Sequence, residues 1–355
     1  MIRFFENAKR KAILVGFNSM KKLGKTPPPK TVIWECTLEC NMKCAHCGSY
    51  SDKAKPNELT KKEILGILKE LSNYGIERFV LTGGEPLLRK DIFEILQKAK
   101  ELGIKTGFST NAYFISEENV GKIVKVADSI QVSVDSKKET HDSFRKTKGA
   151  FDRAINAIKL LKKNGCKQVC MTSTIGPFNL NELEELYSLA KENADLWRVG
   201  TVMPIGRSSK NDLLFLTGKQ LKQLLDFVVE KMRGKFPILL GENLGYLGSY
   251  DKKIHKNDFF FCGIGILSCC IGSDGKIRGC PELPPNEEFI VGDLRKKPFK
   301  EIWENSFENY RDENYSMLPR ECLECKDLSL CRGGCQVMRL KGLHCTPKRL
   351  EQSKA

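Results

Sequence analysis

Cys36-Thr-Leu-Glu-Cys40-Asn-Met-Lys-Cys44-Ala-His-Cys47 places three thiols, Cys40, Cys44 and Cys47, at C-x3-C-x2-C spacing. Three thiolates hold three irons of a four-iron cube and leave the fourth iron open to a small molecule, which a fully ligated electron-transfer cluster does not offer. The competing reading is a zinc knuckle, but structural zinc takes four ligands, usually from two paired sets. The only local fourth candidates are Cys36 and His46. Cys36 is left out of the set, because adding it would close the open iron.

The rest of the chain bounds that reading. A length of 355 residues points to about two domains, and 41% apolar residues suffices for real cores. Fifteen cysteines, many in C-x2-C groups and without a secretory signal, argue for metal ligation in a reducing, cytoplasmic compartment instead of disulfides. No run approaches the roughly 18 apolar residues of a membrane span. The net charge of +15 is compatible with nucleic acid, an anionic surface or an acidic peptide, and does not choose among them. Residues 1–30 carry eight basic side chains (Arg3, Lys9, Arg10, Lys11, Lys21, Lys22, Lys25, Lys30) against Glu6. Phe4, Phe5, Ile13, Leu14, Phe17 and Met20 are interleaved with them, as in a basic amphipathic helix packed on the next domain. Pro27-Pro28-Pro29 ends that segment.

From residue 31 to about 235, short β-branched runs alternate with amphipathic helices, the pattern of a parallel sheet with helical crossovers. Strands are predicted at Thr31 to Trp34, Arg78 to Leu81, Lys105 to Ser109, Ser129 to Val134, Gln168 to Thr174 and Trp197 to Val202. Thr60-Lys-Lys-Glu63 is a capping box that opens a helix ending before Gly75, and Asp91 to Leu102 repeats the design before Gly103. Gly83-Gly84-Glu85-Pro86 follows the second strand. Glycines there allow close backbone approach, and carbonyls can accept from an ammonium.

The C-x3-C-x2-C spacing followed by Gly-Gly-Glu-Pro resembles the radical S-adenosylmethionine (SAM) enzymes. That resemblance implies an α/β fold, a partial (β/α)6 TIM-type barrel with functional groups after the strands, and a [4Fe-4S] cluster that binds SAM. It further implies SAM contacts at Gly83, Gly84, Glu85, Pro86, Asn111, Ser133 and Arg145, for which an amide, a hydroxyl and a guanidinium are suitable partners. Asp135 reads as a helix cap, and Arg207 as an exposed loop cation or as a partner for a substrate carboxylate or SAM. Cys166 and Cys170 read as buried small hydrophobes.

Beyond a helix near Thr217 to Met232 the strand-helix rhythm stops, and cysteines recur as Cys262, Cys280, Cys322, Cys325, Cys331, Cys335 and Cys345. Ser273-Asp-Gly275 reads as a hairpin turn leading back toward Cys280. This spacing resembles the SPASM domain, a C-terminal extension that carries two auxiliary iron-sulfur clusters. The expected division is a basic segment over 1–30, a barrel over 31–235, and a bridging segment with the SPASM domain over 236–355. The resemblance implies a distal cluster on Cys322, Cys325, Cys331 and Cys345, and a nearer one on Cys262, Cys280 and Cys335. The nearer cluster lacks a fourth ligand; Cys269 or Cys270 supplies it, the reading favoured from proximity to Cys262, or the iron stays open.

The resemblance implies reductive cleavage of SAM to a 5′-deoxyadenosyl radical, with electrons from ferredoxin or flavodoxin. The Trp-Glu-Cys-Thr-Leu-Glu-Cys lead-in is similar to peptide-modifying members. The expected function is oxidative modification of a ribosomally made peptide or protein, by cross-link, thioether or side-chain oxidation. Only about 30 residues precede the barrel, so leader recognition would need a separate peptide-recognition protein or another surface. The alternatives are tetrapyrrole decarboxylation in haem synthesis and a non-enzymatic, metal-stabilised nucleic-acid-binding protein. No general acid or base is assignable.

Overall fold

A computed structural model describes residues 15–256, 262–311 and 318–352. Of the basic N-terminal segment, Arg3, Phe4, Phe5, Lys9, Arg10, Lys11, Ile13 and Leu14 lie outside the described residues. Residues 15–22 form a helix, α1. Its Phe17 packs on Ile266 and Leu267, which turns one face toward the C-terminal region and leaves Val15 and Met20 exposed. No helix among the described residues is long and apolar enough to cross a membrane.

Seven strands run in chain order: β1 (Thr31–Thr37), β2 (Arg78–Gly83), β3 (Lys105–Thr110), β4 (Ser129–Ser133), β5 (Val169–Ile175), β6 (Leu196–Thr201) and β7 (Ile238–Leu240). Each pairs in parallel with the next. The crossovers are helical: α2 (Lys61–Tyr74), α3 (Ile92–Glu101), α4 (Glu117–Val126), α5 (Lys138–Arg145), α6 (Ala150–Lys163), α7 (Leu183–Asn193) and α8 (Gly218–Lys231). The Thr60 capping box is present as read, with Glu63 accepting from the Thr60 backbone N–H at 2.8 Å. β7 lies past residue 235, where the barrel was expected to end. Its three residues carry no periodic pattern long enough to announce a strand.

Strand alternation separates two environments. Val32, Trp34, Phe79, Leu81, Phe108, Ile130, Val132, Trp197 and Val199 are buried and form one apolar core with the helices. The alternate positions, Thr82, Ser109, Gln131, Ser133, Thr172, Thr174 and Arg198, are only partly buried. The inner wall of the sheet is therefore polar and reachable.

The C-terminal region joins the same sheet. β8 (Ser268–Ile271) pairs in parallel with β1, then β9 (Lys276–Arg278) and β10 (Ile290–Asp293) add in antiparallel fashion. The ten-stranded order is β10-β9-β8-β1-β2-β3-β4-β5-β6-β7. Ser273-Asp274-Gly275 forms the β8–β9 turn, as the sequence predicts. Arg278 at the end of β9, which leads to Cys280, is level with Cys270 of β8 and, across it, with Ile33 of β1, two strand spacings or about 10 Å away. Further ties reinforce this. Trp303 on α9 (Phe299–Asn305) donates to the Pro27 carbonyl at 2.8 Å, and Arg295 bridges Glu63 at 2.7 Å.

Candidate active site and cluster sites

The loop after β1 is pinned at both ends, with the Cys40 N–H donating to Asp52 O at 3.1 Å and the Asp52 N–H to Leu38 O at 2.9 Å. Inside it, Cys40, Cys44 and Cys47 gather with Met42 and Ala150. Burial pushes the Cys40 thiol up to about 11, and the neighbouring Cys44 and Cys47 charges act in the same direction. Burial likewise raises Cys44, against the lowering effect of Arg145. Three thiols that would repel one another as thiolates are stabilised by cations, so the arrangement fits a metal cluster.

Those cysteines form one wall of a cavity of about 240 Å³ that also meets Gly83, Gly84, Asn111, Ser133 and Arg145. These five of the expected SAM contacts are brought together with the three thiols. Glu85 and Pro86 are not on that wall. The Glu85 carboxylate turns inward and accepts from Thr110 Oγ1 at 2.7 Å, the Asn111 N–H at 2.8 Å and the Leu87 N–H at 3.2 Å. Burial pushes it up to about 7 even so. It ties the end of β2 to the end of β3 and so places Asn111, whose Nδ2 donates to Asn41 Oδ1 at 2.8 Å.

The glycine pair has a reason other than ligand approach. A Cβ on Gly83 would stand 2.3 Å from Thr37 O, and one on Gly84 would stand 1.9 Å from Glu39 O. The Gly84 and Glu85 N–H groups donate to those same carbonyls at 2.7 Å each. Side chains here would push the cysteine loop off the end of β2.

Arg145 is already engaged. Its Nε and Nη2 each meet Asp135 Oδ2 at 2.8 Å, while Nη1 lies 4.0 Å from Cys44 Sγ. Asp135, read as a helix cap, is the buried counter-ion of this arginine. Burial would raise its carboxyl, and the Arg145 guanidinium holds it below the usual carboxylate range. Arg207, read as an exposed loop cation, is also drawn in. Its N–H donates to Cys47 O at 3.0 Å, its Nη2 to Ser51 O at 2.5 Å, and its guanidinium lies 4.9 Å from the Tyr50 ring centroid. Gly206 (φ +58°) permits this, since a Cβ there would stand 2.1 Å from Cys47 O.

From the sequence, His46 is weighed only as a fourth zinc ligand, and Glu282 is missed altogether. His46 lies on the cavity wall, stacks on Phe144 (centroids 4.6 Å, planes 8° apart) and leaves Nδ1 buried without a partner among the described residues. Burial pushes it down to about 4. Glu282 also lines the cavity. Burial and then the Glu35 charge push it up to about 7. Its signal in the sequence was only its place two residues after Cys280.

Of the C-terminal cysteines, Cys262, Cys280 and Cys335 lie close enough to feel one another's charge, and burial pushes Cys262 up to about 12. Cys322, Cys325, Cys331 and Cys345 form a second such group, with Cys331 raised to about 11 by burial. His344 Nε2 sits 3.4 Å from Cys322 Sγ, a neighbour that the cysteine spacing does not show. Cys269 and Cys270, the expected substitute ligands, occupy β8 opposite Val32 and Ile33 and are both fully buried. Cys269 belongs to the apolar core, and the charges acting most on Cys270 are Glu35 and Arg278. Successive strand residues face opposite sides, so the register with β1 places Cys269 in the apolar core and Cys270 on the face of Glu35 and Arg278. Cys166 and Cys170 are buried as read.

A parallel sheet with three grouped thiols at the end of its first strand, and further thiol groups on an appended hairpin region, defines a radical SAM enzyme with auxiliary clusters. The chain matches the radical SAM superfamily model over residues 34–190 and the SPASM iron-sulfur cluster-binding domain model over residues 262–326. It belongs to the radical SAM enzymes that carry a SPASM domain. It uses a [4Fe-4S] cluster with SAM, together with auxiliary iron-sulfur clusters. It is 29% identical over 316 residues to the mycofactocin maturase MftC of Mycolicibacterium smegmatis, covering 88% of this chain and 79% of the relative. It is also 29% identical over 331 residues to the AdoMet-dependent heme synthase of Methanosarcina barkeri, covering 88% and 92%. Among solved structures, anSMEcpe with bound AdoMet superposes with a TM-score of 0.72 at 20% identity, covering 92% and 96%. Streptococcus suis SuiB bound to its precursor peptide SuiA superposes at 0.70 and 21%, covering 91% and 75%. These two show the fold alone.

Proposed function

We propose that this enzyme modifies a ribosomally made peptide or protein, removing hydrogen from a carbon and ending in a cross-link, a thioether or an oxidised side chain. A maturase and a haem synthase are equally similar in sequence, so the reading is carried by the inner wall of the barrel. Gln131, Thr172, Thr174 and Arg198 line it beside the cavity, and a peptide backbone finds partners on such a wall for its amides. A tetrapyrrole presents a broad apolar face that these side chains do not match.

In this reading Cys40, Cys44 and Cys47 hold the SAM cluster, and Gly83, Gly84, Asn111, Ser133 and Arg145 hold SAM. When bound, the pair supplies a 5′-deoxyadenosyl radical by reductive cleavage of the sulfonium. Cys322, Cys325, Cys331 and Cys345 hold the distal auxiliary cluster, and Cys262, Cys280 and Cys335 the nearer one. The chain itself orients SAM with Asn111 and Arg145 and keeps water from the thiols with Met42, His46 and Phe144. The reductant is a ferredoxin or flavodoxin, a separate protein presents the peptide leader, and the compartment is the cytoplasm.

The test is incubation of the reconstituted enzyme with SAM and reductant, either with peptides encoded beside its gene or with iron-coproporphyrin, followed by mass measurement. Loss of two hydrogens from a peptide supports the reading. Loss of carbon dioxide from the porphyrin, with every peptide unchanged, overturns it.

A further inference from the structure

The cavity holds one charge that nothing in the reaction so far uses. Glu282 is the only carboxylate among the described residues that line it. It stands at the junction of two cysteine groups, two residues beyond Cys280 and with its Oε2 only 2.7 Å from where a Cβ on Gly48 would be. Gly48 directly follows Cys47. A substrate carbon within reach of the SAM pocket therefore lies beside Glu282.

The nearby cations are already matched. Arg145 is paired with Asp135. Arg278 is bonded to Glu35 and to the carbonyls of Cys280 and Pro281. Arg198 is paired with Glu242. Among the described residues, no hydrogen-bond donor reaches the Glu282 carboxylate. The carboxylate is half-buried on the cavity wall, where its partly shielded surroundings strengthen the attraction for a cation brought by the substrate.

We propose that Glu282 is a specificity residue that receives a cationic nitrogen of the substrate, a Lys or Arg side chain or an amino terminus, next to the carbon that loses hydrogen. The inference deepens the peptide reading and rests on it. A tetrapyrrole would bring propionates to this wall and meet like charge.

The experiment uses the cluster-loaded holoenzyme with SAM and three fluorescent peptides, Gly-Ala-Xaa-Ala-Gly with Xaa as Lys, Gln or Glu, bound in an anisotropy titration. In the wild type the Lys peptide binds at least about tenfold tighter than the Glu peptide, as expected for one close charge pair in a partly shielded site. In Glu282→Gln, with iron content matched, that difference disappears, and in Glu282→Lys it inverts. If these variants fail to load clusters, competition on the wild type decides: butylammonium displaces the Lys peptide and butyrate does not. Equal binding of the three peptides by the wild type, a Lys preference that survives in Glu282→Gln, or equal competition by butyrate overturns the proposal. The peptide reading fails separately, when the Lys preference is present yet no peptide changes mass.

Discussion

The carboxylate of Glu35 on β1 and the guanidinium of Arg278 on β9 form a buried ion pair between residues 243 positions apart. Ser49 Oγ donates to the other Glu35 oxygen at 2.9 Å, and Arg278 Nε donates to Cys280 O at 3.3 Å. The loop of Cys40, Cys44 and Cys47 and the loop of Cys280 are thereby fastened to one carboxylate. Glu35→Ala strands a buried guanidinium and costs about 3–5 kcal/mol, whereas Glu35→Ala combined with Arg278→Met costs much less. Chemical denaturation of the two variants checks the ordering, and equal losses would remove the clamp from this account.

Glu85 orders the ends of two strands and does not touch the cavity. Glu85→Ala leaves three donors unpaired and costs about 1–3 kcal/mol for the most buried of them, with weaker SAM binding as a consequence. Asn111→Ala weakens SAM binding with a smaller loss of stability. Melting temperature and SAM titration on both variants separate the two roles. An unchanged melting temperature in Glu85→Ala refutes the structural assignment.

Three four-iron clusters amount to about 12 irons per chain. Replacing Cys40, Cys44 and Cys47 by Ala lowers this to about 8 and abolishes 5′-deoxyadenosine formation. Cys269→Ala and Cys270→Ala, changed singly, keep the wild-type iron content, since both side chains belong to the sheet. A loss of iron in either would return it to the ligand set. A wild-type content near 4, or zinc in place of iron, would sink the three-cluster arrangement.

Arg295 fastens the C-terminal region to α2 through Glu63. Hydrogen bonds from Arg295 and then Thr60 hold the Glu63 carboxyl down to about 2. A depressed carboxylate stabilises the fold above its ordinary value of about 4.5 and loses that contribution as pH falls from there toward 2. The protection of amides around Glu63 and Asp274, taken relative to their intrinsic exchange rates, therefore falls between pH 5 and pH 3 in the wild type, and by less in Arg295→Ala. An identical acid response in the two proteins contradicts the bridge.

The barrel strands were readable because each of the first six is a β-branched run between amphipathic helices, and the structure finds all six within three residues of those runs. β7 and β8 have three and four residues, too short for a periodic pattern, and although Ser273-Asp274-Gly275 signals the turn after β8, only pairing with β6 and β1 makes them strands. Cys269 and Cys270 show the limit most clearly. Beside Cys262 in the chain, two adjacent thiols read as ligands, while the ladder to Val32 and Ile33 buries them in the sheet.

The sequence by itself determined the three-thiol loop, the alternation of strand and helix, and the two later groups of cysteines, because spacing along the chain and local periodicity carry that information. Only the tertiary structure decided which charges meet. Arg145 with Asp135, Glu35 with Arg278, and Glu282 against Gly48 are contacts set by sheet order and strand register. A buried charge is governed by what surrounds it in space, and neighbours in the chain do not report that.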